Sequence, residues 1–202
     1  MRTIRSAAAI AVLAAGAALA QQQPQGFDAE QFKKQMEAMQ KALQANAQSA
    51  QPVVDFRQLK TFLPEALGDL KRKSAKGEKS GAMGMTVSKA EGVYEGANEA
   101  RVTVEITDTA GIGGFGAIAQ MGLAATEIDN ESDDGYERTT KVKEFKGIEK
   151  YTTPSKSGSL TIMAGRFTVQ IEGRNIPAAV LKTAGEAIDL KGLSALKPPA
   201  AK

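Results

Sequence analysis

The spacing of apolar positions changes along the chain. Phe32, Met36, Met39 and Leu43 recur at intervals of four and three, which predicts a short amphipathic helix of about two heptads. Asp28 is placed to cap it, Gln31 follows three residues later, and Phe27 can staple onto Phe32. A helix this short is marginal alone in water and needs a surface to dock on. "NAQSAQPVV" reads as a linker. A second helical spacing runs through Phe56, Leu59, Phe62 and Leu63 behind Asp55, and Pro64 ends or bends it.

Beyond Gly81 the period falls to two. "MGMTVSKAEGVYE" alternates weakly, with Met83, Met85 and Val87 on one face, and "GANE" reads as a hairpin loop. "ARVTVEIT" puts Val102, Val104 and Ile106 on one side and Arg101, Thr103 and Glu105 on the other, a half-buried strand of an antiparallel sheet. "YERTTKVKEF" follows, then a turn at Lys146-Gly147, "IEKYTT", the loop "PSKSG", "SLTIMA", a Gly165 turn and "RFTVQIEG". A last helix starts near Pro177, carries Val180, Leu181, Ala184 and Ile188 on its apolar face, and has Gly192 as a terminator. "ARVTVEI" and "GRFTVQI" echo each other weakly, but the intervals between the matching pieces differ.

One segment fits neither period. From Ala110 to Ala125 the only polar side chain is Gln120, and Gly111, Gly113 and Gly116 match GxGxxG. A dinucleotide loop needs a buried parallel strand ending at the first glycine and a second parallel strand after the helix. Here the preceding strand has a polar face, four residues intervene, and hairpins follow. Each internal glycine costs a helix about 1 kcal/mol relative to alanine, so burial or a surface must hold the segment. Two readings stand. The glycines allow close packing on the sheet, or the segment is an apolar flap that touches a ligand or partner through Ile112, Phe115, Ile118 and Met121.

The N-terminus changes the picture of where this domain works. Arg2 and Arg5 precede a small, apolar run ending Ala18-Leu19-Ala20, the layout of a secretory signal peptide cut after Ala20. The run is shorter than the ~20 residues a spanning helix needs. The reading is therefore a periplasmic or secreted protein, with an uncleaved anchor as the alternative. No Cys follows the run, so a lipoprotein anchor is excluded.

Composition removes much chemistry. The chain has no Cys, no His and no Trp. Ser-His-Asp and Cys-His catalysis, disulfides and ordinary zinc sites are excluded. Net charge is +3 for the full chain, which gives no general argument for nucleic acid as a partner. The local basic run "KRKSAKGEK", Lys71 to Lys79, reads as a solvated loop, with an anion or membrane-surface patch as the alternative. "EIDNESDDGYE" gathers carboxylates between Glu127 and Glu137. An EF-hand loop fails there whether it starts at Asp129 or at Asn130, so a solvated acidic turn is expected. Lys79-Ser80-Gly81 and Lys156-Ser157-Gly158 have no Ser-x-x-Lys on a buried helix to work with, and adjacent Asp133 and Asp134 do not face each other across a cleft. No catalytic, cofactor-binding or metal-ligating residue is assigned, and the protein reads as not an enzyme.

"VVDFRQLKTFLPEALGDLKRKSAKGEKSGAMGMTVSKAEGVYEG", "ESDDGYERTTKVKEFKGIEKY" and "RFTVQIEGRNIPAAVLKTAGEAIDLKGLSALK" together resemble a family of uncharacterised exported bacterial proteins. The likeness covers most of residues 53–197. It implies export and no activity, and it carries over no functional residue. The layout is also similar, more loosely, to exported sandwiches of the PsbP type, a fold analogy only.

These readings give an α+β protein. A signal peptide (1–20) precedes a Gln/Ala-rich helical arm and linker (21–52). One domain (53–197) follows, with a mainly antiparallel sheet of five to six strands covered by about three helices, and a loose tail (198–202) ends the chain. The expected function is non-enzymatic binding of an envelope protein partner or ligand through Phe32, Met36, Met39 and Leu43 and the Gly-rich segment. The alternative is binding of a lipid or other apolar small molecule under a 111–125 flap. No cofactor is expected, and peripheral membrane contact stays open.

Overall fold

The computed structural model describes residues 50–82, 85–113, 121–122 and 125–198. The described residues all lie within one compact unit, Ala42–Lys202. In chain order they form α1 (Phe56–Lys60), β1 (Ala66–Leu67), β2 (Leu70–Ala82), β3 (Met85–Glu95) and β4 (Arg101–Asp108). A short 3-10 turn (Ala110–Ile112) is followed by β5 (Asp129–Ser132), β6 (Gly135–Val142), β7 (Phe145–Thr152), β8 (Ser157–Ala164) and β9 (Phe167–Arg174). Helices α2 (Ala179–Ala187) and α3 (Leu190–Ser194) close the domain.

All nine strands belong to one antiparallel sheet, in the order β1-β2-β3-β4-β9-β8-β7-β6-β5. Two meanders, β1 to β4 and β5 to β9, are joined where β9 returns to pair with β4. This corrects the expected sheet of five to six strands under about three helices. Of the additional strands, β2 and β5 come from segments read as loops, and β1 from the stretch just after Pro64. The basic run lies in β2, and the acidic run forms β5, a two-residue turn and the start of β6. Both are at or next to an edge of the sheet, where few side chains need burial, so neither carries the apolar alternation that marks a central strand. Two local readings are also corrected. The β6–β7 turn is at Lys143-Glu144, with Lys143 at φ 54°, and Gly147 lies inside β7. Gly192 lies within α3, and its N–H donates to the capping Asp189 carboxylate at 2.9 Å.

The central strands follow their sequence pattern. Val102, Val104 and Ile106 on β4 are fully buried and stand opposite Gly173, Ile171 and Val169 on β9. Leu160, Ile162 and Ala164 on β8 extend the same face. On β3 the buried face is Ser88, Ala90, Gly92 and Tyr94; Met85 and Val87 share the opposite, half-exposed face, and Met83 lies outside the described residues. The "GANE" loop is as expected: Asn98 and Glu99 both have positive φ, the backbone a tight primed hairpin turn requires.

Among the described residues, short helices of five, nine and five residues pack on only part of the core face, which also corrects the expected covering by about three helices. The Phe56 ring of α1 lies on Gly77 of β2, where any Cβ would collide with it. Leu181 of α2 lies against Gly158 and Gly173, and Gly185 brings α2 close to Ile162, Val142 and Leu160. α1 and α3 have five residues each, too few to hold a helix alone, so they depend on buried Leu59, Leu190 and Leu193. At about 1.5–3 kcal/mol per fully buried aliphatic side chain, that burial outweighs their lack of helical cooperativity. The other face carries Thr103, Glu105, Thr107, Thr168 and Gln170 and is not covered by a described helix. There Lys89 bridges Glu78 at 3.3 Å and Glu105 at 3.6 Å, and the nearby Glu105 charge raises its pKa.

Candidate functional site

The sheet has two differently built ends. At one end, Asp108 is fully buried and every acceptor position on it is occupied. Arg166, which follows the Gly165 turn, donates from Nε to Oδ1 at 2.8 Å and from Nη2 to Oδ2 at 2.8 Å. The backbone N–H of Val54 donates to Oδ2 at 2.8 Å, and that of Ala110 to Oδ1 at 3.1 Å. Arg166 also reaches the Pro52 carbonyl at 2.7 Å. One carboxylate thus fastens residues 52–54, the end of β4 and the β8–β9 turn. A bidentate, fully hydrogen-bonded pair of this kind holds geometry and leaves no lone pair for substrate. Beside it across the β3–β4 ladder, the buried Ser88 hydroxyl has no hydrogen-bond partner among the described residues.

The Gly-rich segment leaves the sheet from this end, and its two described parts differ. Gly111 is buried, and a Cβ there would run into the Thr86 carbonyl oxygen and the Val53 side chain. Gly113 adopts φ 60°, ψ −141°, which glycine tolerates and other residues avoid. At the far part, Met121 and Gly122 are helical, Met121 is 71% exposed, and a Cβ on Gly122 would meet open space. Close packing therefore accounts for the first glycine and not for the last. The antiparallel neighbours on both sides of β4 also remove the dinucleotide reading, which needs a parallel strand pair.

The other end carries an apolar groove of about 350 Å³. Leu67 and Leu70 of the β1–β2 turn form one wall, Ala97 and Ala100 of the β3–β4 turn another, and Ile176, Pro177, Ala179, Val180 and Thr183 around the start of α2 the third. Asp69 is the only ionisable residue among its lining. The walls are braced by hydrogen bonds behind them. Tyr94 donates to the Pro64 carbonyl at 2.9 Å, and Arg72 donates to the carbonyls of Leu63 at 2.6 Å and Pro64 at 3.1 Å. Tyr151 donates to the Ile176 carbonyl at 2.8 Å, and the Asn175 amide donates to the Asn98 carbonyl. Burial pushes the Tyr94 phenol up to about 12, so this brace stays protonated at neutral pH.

A third cluster lies on β6 and β7. Glu149 is buried and accepts from the Tyr136 hydroxyl at 2.9 Å and from Arg138 at 3.3 and 3.4 Å. Arg138 also covers the Tyr136 ring, 4.3 Å from its centroid, and Tyr136 stacks on Tyr151. Burial, and then the hydrogen bond to Glu149, raises the Tyr136 pKa. The pieces hold one another, and Glu149 spends its oxygens on Tyr136 and Arg138. Among the described residues no group of three acidic side chains is placed to hold a metal ion.

Comparison with protein-family models, with curated proteins and with solved structures gives no match. The class is therefore defined by the molecule itself: a nine-stranded antiparallel sheet with helices on one face and an apolar groove at one end.

Of the residues proposed from sequence as contacts, Ile112 is half-buried in the 3-10 turn at the Asp108 end, and Met121 is exposed beyond it. Phe32, Met36, Met39, Leu43, Phe115 and Ile118 lie outside the described residues. The groove was not anticipated. Its walls are two turns and a helix start that are far apart in sequence, and only Val180 stood out, as a core candidate. The one local signal was "LGDL", where Gly68 turns the chain at φ 60° between two buried leucines.

Proposed function

We propose that the chain is exported, loses its leader after Ala20, and acts as a non-enzymatic binding protein of the periplasm or the secreted space. A protein partner inserts an apolar side chain into the groove between the β1–β2 turn, the β3–β4 turn and α2. The observation that carries this reading is the groove's lining, apolar apart from Asp69 and Thr183 and braced from behind by Tyr94, Tyr151 and Arg72. Pre-formed concave apolar surfaces of this kind bind at low ordering cost. The buried carboxylates support binding over catalysis, since Asp108 and Glu149 spend their acceptors on structure.

A second reading is a binder of lipid or another apolar small molecule. Met121, exposed at the end of the Gly-rich segment, favours it as an apolar side chain available for contact. The groove volume lies at the low end of small-molecule pockets.

One experiment separates the two. The wild-type protein and Val180→Glu, which puts a carboxylate in the groove, are purified from the native host under mild conditions and compared by native mass spectrometry and pull-down. Loss of a protein partner in the variant supports the first reading. Loss of a bound apolar molecule supports the second. Retention of every partner and ligand by Val180→Glu rejects the groove. Export is checked on the same sample, whose N-terminus should be Gln21. A mature protein that still begins at Met1 would contradict cleavage.

A further inference from the structure

We propose that the free edge of β2 is a strand-addition site for an extended acidic segment of a partner protein. This surface is separate from the groove and does not depend on it. β2 has thirteen residues, yet β1 pairs only with Leu70 and Lys71, and the Glu65 carbonyl takes the Arg72 N–H at 3.0 Å. From Lys73 to Ala82 no described strand lies on the outer side. At about 3.3 Å per residue, that is roughly 30 Å of strand edge that no described strand pairs.

The charge on this edge selects the partner. β2 holds five cations against one anion. Glu78 is engaged by Lys89, and Arg72 by Glu65. Lys71, Lys73, Lys76 and Lys79 are all exposed and form no ion pair among the described residues. Lys73 is the extra residue of a bulge between Arg72 and Ser74. Lys76 stands opposite Glu91 on the uncovered face, and Lys79 stands opposite Ser88 on the helix side, so an added strand meets positive charge on both of its faces. Lysines on an edge repel a second copy of the same edge. The same lysines attract acidic side chains, while the open ladder binds the backbone between them.

A second copy of the chain fits less well. Its opposite edge, β5, is acidic, but it has only four residues, under half the length of the open stretch. A foreign extended acidic segment can fill the whole edge.

The test uses the full chain with a synthetic peptide of about ten residues, alternating Val or Thr with Glu, and a control in which Lys replaces Glu. Binding is read by anisotropy at low and high salt, and site by hydrogen exchange. The acidic peptide should bind at low salt, weaken about tenfold or more at high salt, and slow amide exchange within Lys73–Ala82. Combined Lys73→Glu, Lys76→Glu and Lys79→Glu should abolish binding. These positions are exposed, and unchanged exchange in β4 and β9 would show that the fold is kept. No binding, equal binding of the Lys peptide, or binding without protection of the β2 edge would overturn the proposal. So would protection of that edge in concentrated protein alone, together with a rise in sedimenting mass, which would assign the edge to a second copy.

Discussion

At the Asp108 end of the sheet a buried carboxylate uses both oxygens twice, and the chain around it is fixed by bonds from side chains to backbone and to other side chains that span more than fifty residues. At the Tyr94 end the hydrogen bonds lie behind the surface, and what faces solvent is an apolar groove. The same sheet is sealed at one end and left receptive at the other. The lesson is that a buried charge marks the part of this molecule that must not move, while the candidate binding surface lies where turns and a helix start leave apolar walls unpaired.

Variants can break or sharpen this contrast. The largest effect is expected from Asp108→Ala, which orphans Arg166 and the N–H groups of Val54 and Ala110. It should cost about 3–5 kcal/mol in urea unfolding. A loss below about 1 kcal/mol would mean that the sealed end is held by something else. Next comes Gly111→Ala, where a methyl group meets the Thr86 carbonyl and Val53. Overpacking of this kind should cost about 1–3 kcal/mol. Gly122→Ala is its opposite and should gain up to about 1 kcal/mol, since the position is helical and open. Equal effects at the two glycines would end the distinction between them.

Smaller effects follow. Ser88→Ala removes a buried hydroxyl that has no partner among the described residues and should raise stability by about 1 kcal/mol. Tyr94→Phe removes the hydrogen bond to Pro64 and should cost about 1 kcal/mol at neutral pH. It should also change the alkaline profile. A phenol that ionises near 10 when unfolded and near 12 when folded favours the folded state below pH 10. That contribution declines as pH rises from about 10 to about 12, because only the unfolded chain loses its proton there. Wild-type melting temperature should therefore fall more steeply across this window than that of Tyr94→Phe. Parallel curves would show that Tyr94 is not the group responsible.

The central strands were legible because burial on one face forces alternation: Val102-Val104-Ile106 and Phe167-Val169-Ile171 cannot face water together. The helix after Pro177 was legible for the same reason at helical period. β2 and β5 were not, because an edge strand is specified by its neighbour's backbone and not by its own apolar residues. "KRKSAKGEKSGA" contributes Ala75 and Gly77 to the inner face and little else. On β3 the small residues Ser88, Ala90 and Gly92 face inward next to Tyr94, and the larger Met85 and Val87 share the opposite face, a choice of side that weak alternation does not specify. The groove was illegible because its walls combine residues from the 60s, the 90s and the 170s, a juxtaposition made by β9 returning to β4. The Gly-rich segment was half legible. Its sequence admitted both close packing and exposure, and Gly111 and Met121 show one of each.

The Tyr94 end is proposed as the binding end. The most direct measurement places a photo-crosslinking amino acid at Val180, in the groove, and separately at Gly165, in the turn at the Asp108 end, in protein expressed in its native host. The account predicts a crosslinked partner or ligand from position 180 and none from position 165. Crosslinking from position 165 alone, or equal crosslinking from both, would contradict it.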